Sequence, residues 1–575
     1  MSRVASTTSQ RTQLARLAHG TDASSIDPTN LDAAHAILRA NSRSYQHLLD
    51  RVTGENRAPD PCETIEKIAA AAAFACRFHT GRFADGALEN PLLAIGRVKN
   101  PASRPVRERA PGAPLHVLHV ATSVLSVGGH TRMMHRWIAE DHGNRHSVAV
   151  TRQARGVIPT WLSEEVAATG GRILTFDDSA SDGDRAMRLR DEAHVCADVV
   201  VVHHGGADVI PTLAFAADGG PPVAILNHAD HLFWLGSSVA DLCIDLRSIT
   251  NDYSVARRYI PKTVVLPIPL PAPVESMDRV AARNALGVAT EVVMLLTVAR
   301  AVKFRPCGGQ DFMATVEAVL GEDQNIHLYV IGETAQGMAR QLSRPLHPRI
   351  HCVGPIEHPA QYRAASDVYI ESFPFGSNTA LLEAALDGLP VVPACRPLSK
   401  LLVACNDSLL GSMTNPADEA AYCERIRAFT RDPQAGRAYG RKLRAELLKH
   451  HVGAAWRTHL QGVYRAAETL AHQPRPIPVT RCETTPCDIG LGLFSAVPDG
   501  RSGGVGDPRA KLSALRHSAF VAKDARDFRL ARALSFSALR SDALGWETWR
   551  LFLISLFGPV ARAAGNRLRR NRKAA

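Results

Sequence analysis

The chain has 575 residues, of which 45% are hydrophobic and 21% charged. This length predicts roughly three to four domains of ~150 residues, which is ample for two packed α/β cores. Lys and Arg outnumber Asp and Glu by 67 to 56, a net charge of +11. The excess favours acidic ligands or surfaces without choosing between nucleotide diphosphates, anionic lipid and nucleic acid.

Targeting and metal signals are weak. The first twenty residues are polar and lack the apolar stretch of a secretory signal, and no run reaches the ~18 apolar residues that span a bilayer. Among eleven cysteines only Cys482-x4-Cys487 faintly suggests a metal site. We therefore expect a cytoplasmic protein with reduced thiols and no metal or other cofactor.

Residues 1–110 are predicted to be a helical extension followed by a linker. Helical periodicity is clearest from Ile65 to Arg77, and a Pro/Arg-rich stretch runs from Pro101 to Pro114. No motif in this region indicates a catalytic or binding function.

Residues 111–270 are predicted to form a Rossmann-like domain, because apolar β-rich runs alternate with helical patterns. The expected strands are His116-Val-Leu-His-Val-Ala, Ser147-Val-Ala-Val, Val199-Val-Val-Val-His, Val223-Ala-Ile-Leu and Leu242-Cys-Ile-Asp.

The turn after the first of these strands carries Gly128, Gly129 and His130 and opens a helix. Two glycines allow a ligand to approach the backbone, although an ordinary turn between strand and helix has the same composition. His130 follows this glycine pair and is a candidate base, because other motifs of the chain also indicate a ligand site.

Histidines also follow two later strands, in His203-His-Gly-Gly and in Asn227-His-Ala-Asp-His. An imidazole at the carboxyl edge of a sheet can accept a proton near neutral pH, and a neighbouring carboxylate can orient it. His228 is therefore a second candidate base, with Asp230 as its orienting group and His203 and His231 as weaker candidates. Hydrogen bonding to the backbone at a helix start is the structural alternative.

Residues 271–472 repeat the strand and helix alternation, from Val293-Met-Leu-Leu-Thr-Val to Val391-Val392. Two Rossmann-like halves that face each other make a cleft. The fold prediction is thus α/β, with two such domains facing a cleft and helical extensions at both ends.

The most informative motif is the run from Glu371 to Glu383 followed by Gly388-Leu-Pro-Val-Val. It reads as strand, turn, helix, turn and strand, and Gly376, Ser377, Asn378 and Thr379 lie at the helix start. We expect Ser377, Asn378 and Thr379 to cap the helix and its first amides to bind a phosphate. The carboxylate of Glu383, farther along the helix, is placed to reach a sugar hydroxyl.

Three basic residues, Arg300, Lys303 and Arg305, follow the strand that begins at Val293. Fixed cations in a dehydrated cleft stabilise a departing diphosphate, whereas a solvated charge cluster is the alternative. Gly332 and Gly354 end two further apolar runs.

These motifs resemble the nucleotide-sugar glycosyltransferases of GT-B architecture. The run from Phe373 to Thr379 is most similar to the inverting protein O- and N-glycosyltransferases, and Gly388-Leu-Pro-Val-Val also suits the glycogen-synthase-like retaining enzymes. The retaining group usually has a second Glu eight positions before Glu383. Phe375 stands there, which disfavours retaining chemistry.

The resemblance implies a role for each motif. Arg300 with Lys303 or Arg305 and the Gly376 to Thr379 turn would hold the donor diphosphate, because the family's Lys position, five after the Arg, is Arg305 here. Glu383 would bind ribose. The turns at Gly332 and Gly354 would surround the base, and the Gly128-Gly129 pair would face donor or acceptor.

The C-terminal part changes composition. Residues 473–511 are predicted to be a Pro/Gly-rich linker, and 512–575 a helical basic extension. An aromatic face including Trp546 and Trp549 precedes six Lys or Arg residues between Arg562 and Lys573, which suits an anionic membrane surface. Packing of that face on the enzyme is the alternative, and no nucleic-acid recognition fold accompanies the charge.

The sequence therefore predicts a hexosyltransferase that moves a hexose or N-acetylhexosamine from a nucleotide-diphosphate sugar, most simply a UDP-sugar, to a glycan, lipid-linked or protein acceptor. Its expected location is the cytoplasm or the inner face of the membrane. The alternatives are an epimerase or hydrolase of nucleotide sugars with the same fold, and a noncatalytic sugar-nucleotide-binding protein at the membrane.

Overall fold

The computed structural model describes residues 28–496, with gaps at 54–59, 100–108, 111, 127–128, 154–156, 178, 204, 274–276, 343, 358 and 405–409, and a few positions between 532 and 556. Gly128, the C-terminal part of the predicted linker and most of the basic extension lie outside the described residues. Within the described part, no helix combines the length and apolarity needed to cross a membrane.

The first lobe is built on seven parallel strands in the order β3-β2-β1-β4-β5-β6-β7. Its central strands are apolar on both sides and fully buried, as expected of a parallel sheet covered on both faces. The strands are β1 (His116–Ala121), β2 (Arg145–Val150), β3 (Ile173–Thr175), β4 (Val199–His203), β5 (Val223–Asn227), β6 (Leu242–Asp245) and β7 (Thr263–Val265).

The second lobe has five parallel strands in the order β10-β9-β8-β11-β12. In both lobes the strand order reverses beside the first strand, and ligands of open α/β sheets bind at the carboxyl ends of strands near such a reversal. The strands are β8 (Val293–Val298), β9 (Ile326–Ile331), β10 (Ile350–Gly354), β11 (Val368–Ile370) and β12 (Val391–Val392). The predicted α/β class with two Rossmann-like domains is confirmed.

Helices cover both faces of the first sheet. One face packs on α2 and α3 of the N-terminal extension together with α6 and α7, and the other packs on α4 and α5. The helices that precede or belong to this lobe are α1 (Pro28–Thr53), α2 (Pro61–Arg77), α3 (Gly86–Lys99), α4 (Gly129–Glu140), α5 (Thr160–Ala168), α6 (Asp182–Cys196), α7 (Ile210–Ala214) and α8 (Asn251–Ala256).

Four helices of the second half begin at an aspartate whose carboxylate accepts a backbone N–H of the first turn, the usual N-cap contact. These aspartates are Asp278, Asp311, Asp418 and Asp432. The helices after β7 are α9 (Arg279–Leu286), α10 (Phe312–Glu322), α11 (Ala335–Leu342), α12 (Ala360–Ala365), α13 (Asn378–Leu386), α14 (Glu419–Arg431), α15 (Pro433–Leu448), α16 (Gly453–Glu468) and α17 (Pro486–Ala496).

The chain returns to the first lobe after α15. Trp456 and Tyr464 of α16 are buried against Trp137 of α4 and the first sheet. The indole N–H of Trp137 donates to the Tyr464 hydroxyl at 3.0 Å. Helix α16 therefore links the second half of the chain to the first lobe.

Residues 473–496, the first part of the predicted linker, are packed against the body of the protein. The Arg475 N–H donates to Ser238 at 2.8 Å, and the Gly86 N–H donates to Pro478 at 2.9 Å. Helix α17 lies so close to the second lobe that a Cβ on Gly490 would stand 1.9 Å from the Leu398 carbonyl oxygen. A buried ion pair between Asp488 and Arg257, 3.0 Å apart, ties the same helix to the first lobe.

Candidate functional site

A cavity of about 350 Å³ lies between the carboxyl edges of the two sheets. This volume falls within the range of small-molecule sites, roughly 300–1,000 Å³. The first lobe contributes Gly129, His130, Met133, Arg136, His228, Asp230, His231, Leu246, Arg247 and Ile268, and the second contributes Lys303, Phe375 to Ala380, Leu401 and Leu402. We call this cavity the cleft.

The start of α13 forms one wall of the cleft. Helix α13 begins at Asn378, and the first amides of any helix have no acceptor within the helix. Ser377 occupies the N-cap position, but its hydroxyl makes no capping bond, so the predicted capping by its side chain is wrong. The buried carboxylate of Glu371 accepts the Ser377 N–H at 2.5 Å instead. Asn378 and Thr379 are left facing the cleft.

Lys303 lies beside this helix start. Its ammonium group donates to the Gly376 carbonyl at 2.5 Å and stands 4.5 Å from the centre of the Phe375 ring. Burial lowers the pKa of Lys303, while the nearby Glu371 carboxylate opposes that change. Burial also raises the pKa of Glu371, and Lys303 opposes that change in turn. The wall thus holds a buried cation and a buried acid that share one environment.

The other two predicted cations face a second cavity. Arg300 and Arg305, with Arg77 of α2, line a space of about 270 Å³ that also includes His79, His231 and Phe494. Arg305 is buried and lies with its guanidinium 5.3 Å from the Phe494 ring. His231 and Phe375 contribute to both cavities, with ring centres 5.0 Å apart. Of the three predicted cations, only Lys303 lines the cleft.

Two imidazoles form the opposite wall. The rings of His130, at the start of α4, and His228, directly after β5, are stacked with centres 4.4 Å apart. Both line the cleft. Each imidazole has a ring nitrogen that can accept a proton, so this wall of the cleft offers two candidate bases.

Asp230 is held by Arg247 and contacts His231. The Arg247 guanidinium donates to Asp230 at 2.5 and 3.1 Å, and the His231 ring lies 3.4 Å from the same carboxyl group. Burial by itself raises the pKa of Asp230, but the charges and hydrogen bonds of Arg247 and His231 together outweigh it, and the pKa falls to about 2. The predicted orienting carboxylate therefore contacts His231, one of the weaker candidate bases.

Arg247 also joins the lobes. Besides Asp230, it donates to the backbone carbonyls of Lys400, Leu401 and Val403 in the second lobe, at 3.2, 3.3 and 2.7 Å. Its side chain is only 2% exposed. Arg247 thus fixes the floor of the cleft from both sides.

Glu383 is engaged by two arginines. Its carboxylate accepts from Arg136 of the first lobe at 2.6 Å and from Arg363 of its own lobe at 3.4 Å. The residue predicted to bind ribose therefore carries an ion pair that crosses between the lobes.

The predicted base-binding glycines contact the backbone. Gly332 and Gly354 both have positive φ, +109° and +80°, and the Gly332 N–H donates to the Gly354 carbonyl at 2.9 Å. A Cβ on Gly332 would stand 2.6 Å from the Ala299 carbonyl oxygen. Neither glycine lines either cavity, whereas Gly129 lines the cleft.

Sequence reasoning did not assign roles to Glu371, Arg136 and Arg247. Two of them carried a usable signal, because Glu371 and Arg247 each follow closely on a short apolar strand, β11 and β6. Arg136 lies inside α4 and had no such signal. Across the described ranges no group of three or more His, Cys, Asp or Glu side chains is placed to hold a metal ion.

Two Rossmann-like lobes around a polar cleft give this chain the GT-B fold, and the family match lies in the second lobe. Residues 293–432 match the family model of glycosyl transferases group 1. The resemblance that the sequence motifs indicated is therefore confirmed, and this segment carries a glycosyltransferase domain. The sequence has no match among curated proteins.

Solved structures with a similar arrangement include a mutant O-GlcNAc transferase of Thermobaculum terrenum. It is 14% identical, with 70% of this chain and 77% of that chain covered and a TM-score of 0.48. The apo form of the lipopolysaccharide outer core galactosyltransferase WaaB is 13% identical, with 61% and 99% covered and a TM-score of 0.42. Because both TM-scores are below 0.5, the fold assignment depends on the two sheets themselves.

Proposed function

We propose that the protein transfers a hexose or N-acetylhexosamine from a nucleotide-diphosphate sugar to a hydroxyl or amide acceptor, with inversion at the anomeric carbon. The observation that carries the proposal is the cleft, which sets the Lys303 ammonium and the start of α13 opposite the paired imidazoles of His130 and His228. One wall suits a leaving diphosphate, and the other suits proton removal.

The diphosphate would lie at the α13 wall. A helix N-terminus and a buried ammonium group are both favourable for an anion, and their effect is largest where water is excluded. The Asn378 side-chain oxygen is buried with no hydrogen-bond partner in the structure, which gives the site an acceptor for a hydroxyl of the donor. The helix dipole and Lys303 supply the positive charge that a divalent cation supplies elsewhere, so the proposal includes no metal.

The acceptor would lie against the imidazole wall. As the acceptor oxygen forms its bond to the anomeric carbon, the bond from that carbon to the phosphate oxygen breaks, and the nucleoside diphosphate departs. The acceptor proton passes to a ring nitrogen of His130 or His228. Because the acceptor attacks the face of the sugar opposite the leaving phosphate, this single displacement inverts the anomeric carbon. Phe375 occupies the position where retaining relatives carry a second Glu.

The finer assignments extend this scheme. UDP is the simplest nucleotide, Glu383 would exchange an arginine contact for the ribose, and the turns at Gly332 and Gly354 would border the base. Arg300 and Arg305 would act on the same diphosphate from the second cavity. A glycan, a lipid-linked sugar or a protein would serve as acceptor, and the basic C-terminal extension would bring the enzyme to an anionic membrane.

The test is a panel of nucleotide sugars and free nucleotides, read by thermal shift and calorimetry and then by release of nucleoside diphosphate with and without added acceptors. A ligand at ~100 times its dissociation constant adds about 2.7 kcal/mol to stability. Replacing Arg300, Lys303 and Arg305 together with Met should abolish UDP binding. The matched control replaces the exposed Arg437, Arg441 and Lys442 of α15 with Met.

Unchanged UDP affinity in the variant that replaces Arg300, Lys303 and Arg305 would overturn the diphosphate site. Turnover of the nucleotide sugar at the same rate without acceptor would favour the epimerase or hydrolase alternative. Saturable binding without turnover across the acceptor panel would favour the noncatalytic alternative.

A further inference from the structure

A row of buried histidines crosses the first lobe between its sheet and α4. His203 ends β4, His119 is in the middle of β1, and His146 is near the start of β2. A ring nitrogen of His119 lies 2.9 Å from His203 and the other lies 3.0 Å from His146. All three residues are 0% exposed. We call these residues the histidine row.

The row begins at the cleft. The centres of the His203 and His130 rings are 5.8 Å apart, compared with 5.1 and 5.2 Å for the two hydrogen-bonded pairs within the row. A small rotation of the His130 ring, or one bridging water, would complete the connection. His130 itself stacks on His228 in the cleft wall.

The row ends near the surface at Asp141. The last ring nitrogen, Nε2 of His146, donates to the Asp141 backbone carbonyl at 3.2 Å and lies 3.2 Å from the Asp141 carboxylate. That carboxylate also accepts from Tyr464 at 2.5 Å and from Asn144 at 3.1 Å. The Asp141 side chain is 13% exposed. The row therefore connects the cleft at the carboxyl edge of the sheet with a solvent-touching carboxylate at its amino edge.

The acceptor at this end fixes the direction of the hydrogen bonds. A backbone carbonyl and a carboxylate both only accept, so His146 donates to Asp141 from Nε2 and accepts from Nε2 of His119 at Nδ1. His119 in turn accepts from Nε2 of His203, so Nδ1 is the acceptor nitrogen of the His203 ring. Burial lowers the pKa of His119 well below its ordinary value, and neighbouring His146 and His116 lower it further, so the ring stays neutral.

We propose that the histidine row is a proton relay that carries the acceptor proton from His130 to Asp141 and solvent. The inference rests on the proposed function, because it supplies an exit for the proton that each glycosyl transfer releases in a cleft closed by substrates.

Each step conserves protons. His130 passes its proton to Nδ1 of His203 as the Nε2–H of His203 moves to His119. The Nε2–H of His119 moves to His146, whose own Nε2–H moves to Asp141 and then to water. One proton enters and one leaves, and every ring ends in its other tautomer, so rotation of each ring restores the row before the next turnover.

The experiment compares His119→Gln and His146→Gln with two control variants. His116→Gln removes a buried imidazole of β1 that bonds to Ser147 outside the row, and His327→Gln breaks a histidine pair of the second lobe with 2.9 Å between ring nitrogens. UDP affinity and unfolding temperature are measured first. We expect both row variants to bind UDP normally and to lose about 10- to 100-fold in kcat, with added imidazole buffer restoring much of the loss. The controls should keep their kcat.

A second measurement needs no substrate. Nitrogen-15 spectra of the histidine-labelled protein should show His119 and His146 protonated at Nε2 and bonded at Nδ1. Row variants with wild-type kcat, a loss of kcat that imidazole does not restore, or the opposite tautomers would each overturn the relay. Absence of transfer by the wild-type enzyme, with these tautomers present, would count against the proposed function and leave the hydrogen-bond direction of the row supported.

Discussion

The two lobes share one sheet plan and present different chemistry to the cleft. The first lobe contributes the imidazoles of His130, His228 and His231, whereas the second contributes Lys303 and the start of α13. Both sets occupy the carboxyl ends of parallel strands or the turns that follow them. The fold therefore supplies two equivalent positions, one at the carboxyl edge of each sheet. The residues at each position determine whether that lobe accepts a proton or binds a phosphate.

The lobes also differ in how their site residues are held. In the first lobe, the guanidinium of Arg258 is fully buried, lies 4.1 Å from the Trp234 ring and donates to the Asp230 and Leu232 carbonyls. In the second lobe, the site is held locally by the contacts of Glu371 and Lys303 with the α13 start. A single buried arginine thus holds the proton side, whereas a buried lysine and a buried carboxylate hold the phosphate side.

The largest effect should come from the imidazole wall. Replacing His130 and His228 together with Gln removes both candidate bases, and we expect kcat to fall by about 10²- to 10⁴-fold with UDP affinity retained. Steady-state kinetics and calorimetry measure the two quantities. The single variants show which ring is the base, because only its loss should reproduce the double variant. Retention of kcat in the double variant would contradict an inverting mechanism with a histidine base.

Removing Arg247, which joins the lobes, should have an effect of similar size, but on the free energy of unfolding rather than on kcat. Arg247→Met leaves the Asp230 carboxylate buried beside its former partner position, and removing one partner of a buried ion pair typically costs about 3–5 kcal/mol. Urea unfolding measures this loss, and Arg437→Met on the exposed side of α15 is the control. An unchanged free energy of unfolding would show that the pair contributes nothing net.

The same pair predicts a pH dependence. The folded pKa of Asp230 is about 2, below the ~3.9 of a free aspartate, so its contribution to stability is complete above the latter value and is lost as pH falls through the former. Urea titrations across this acid range should show the loss in the wild type. The Asp230→Asn variant should not show this loss of stability in acid.

The phosphate side is tested by Lys303→Met. Removing one preorganised positive donor should lower kcat by about 10²- to 10³-fold and weaken UDP binding. Lys442→Met on the surface of α15 is the matched control. UDP affinity should also fall from neutral to alkaline pH, because Lys303 has a lowered pKa and ionisation of Glu371 adds negative charge beside the phosphate. Equal affinity in both lysine variants would place the diphosphate elsewhere.

Much of this arrangement could be predicted from the sequence because its signals are local. Runs such as Val199-Val-Val-Val mark buried parallel strands, and the turn from Gly376 to Thr379 marks a helix start. Both signals consist of residues that are adjacent in the sequence, and the structure confirms both the strand and the helix start. The separation of Arg300 and Arg305 from Lys303 had no such signal, because it depends on how α2 and α17 close the second cavity.

Contacts between the lobes could not be predicted from the sequence for the same reason. Asp230 lies next to His231 in the chain but takes Arg247 as its main partner, and Arg247 also bonds the backbone of the second lobe. Arg136 and Glu383 are 247 positions apart. A single sequence contains no pattern that pairs such residues.

The smallest expected effect concerns that last pair, and it tests the ribose assignment. If Glu383 binds ribose, Arg136 competes for the same carboxylate, so Arg136→Met should strengthen UDP binding by up to about fivefold, the ~1 kcal/mol typical of an ion pair of this kind. Glu383→Gln should weaken it. Arg363→Met is the matched control, since Arg363 contacts the same carboxylate at 3.4 Å from within the second lobe. Weaker UDP binding in Arg136→Met would instead mean that the ion pair holds the cleft in its binding shape, and Glu383 would then act as a link between the lobes rather than as a ligand for ribose.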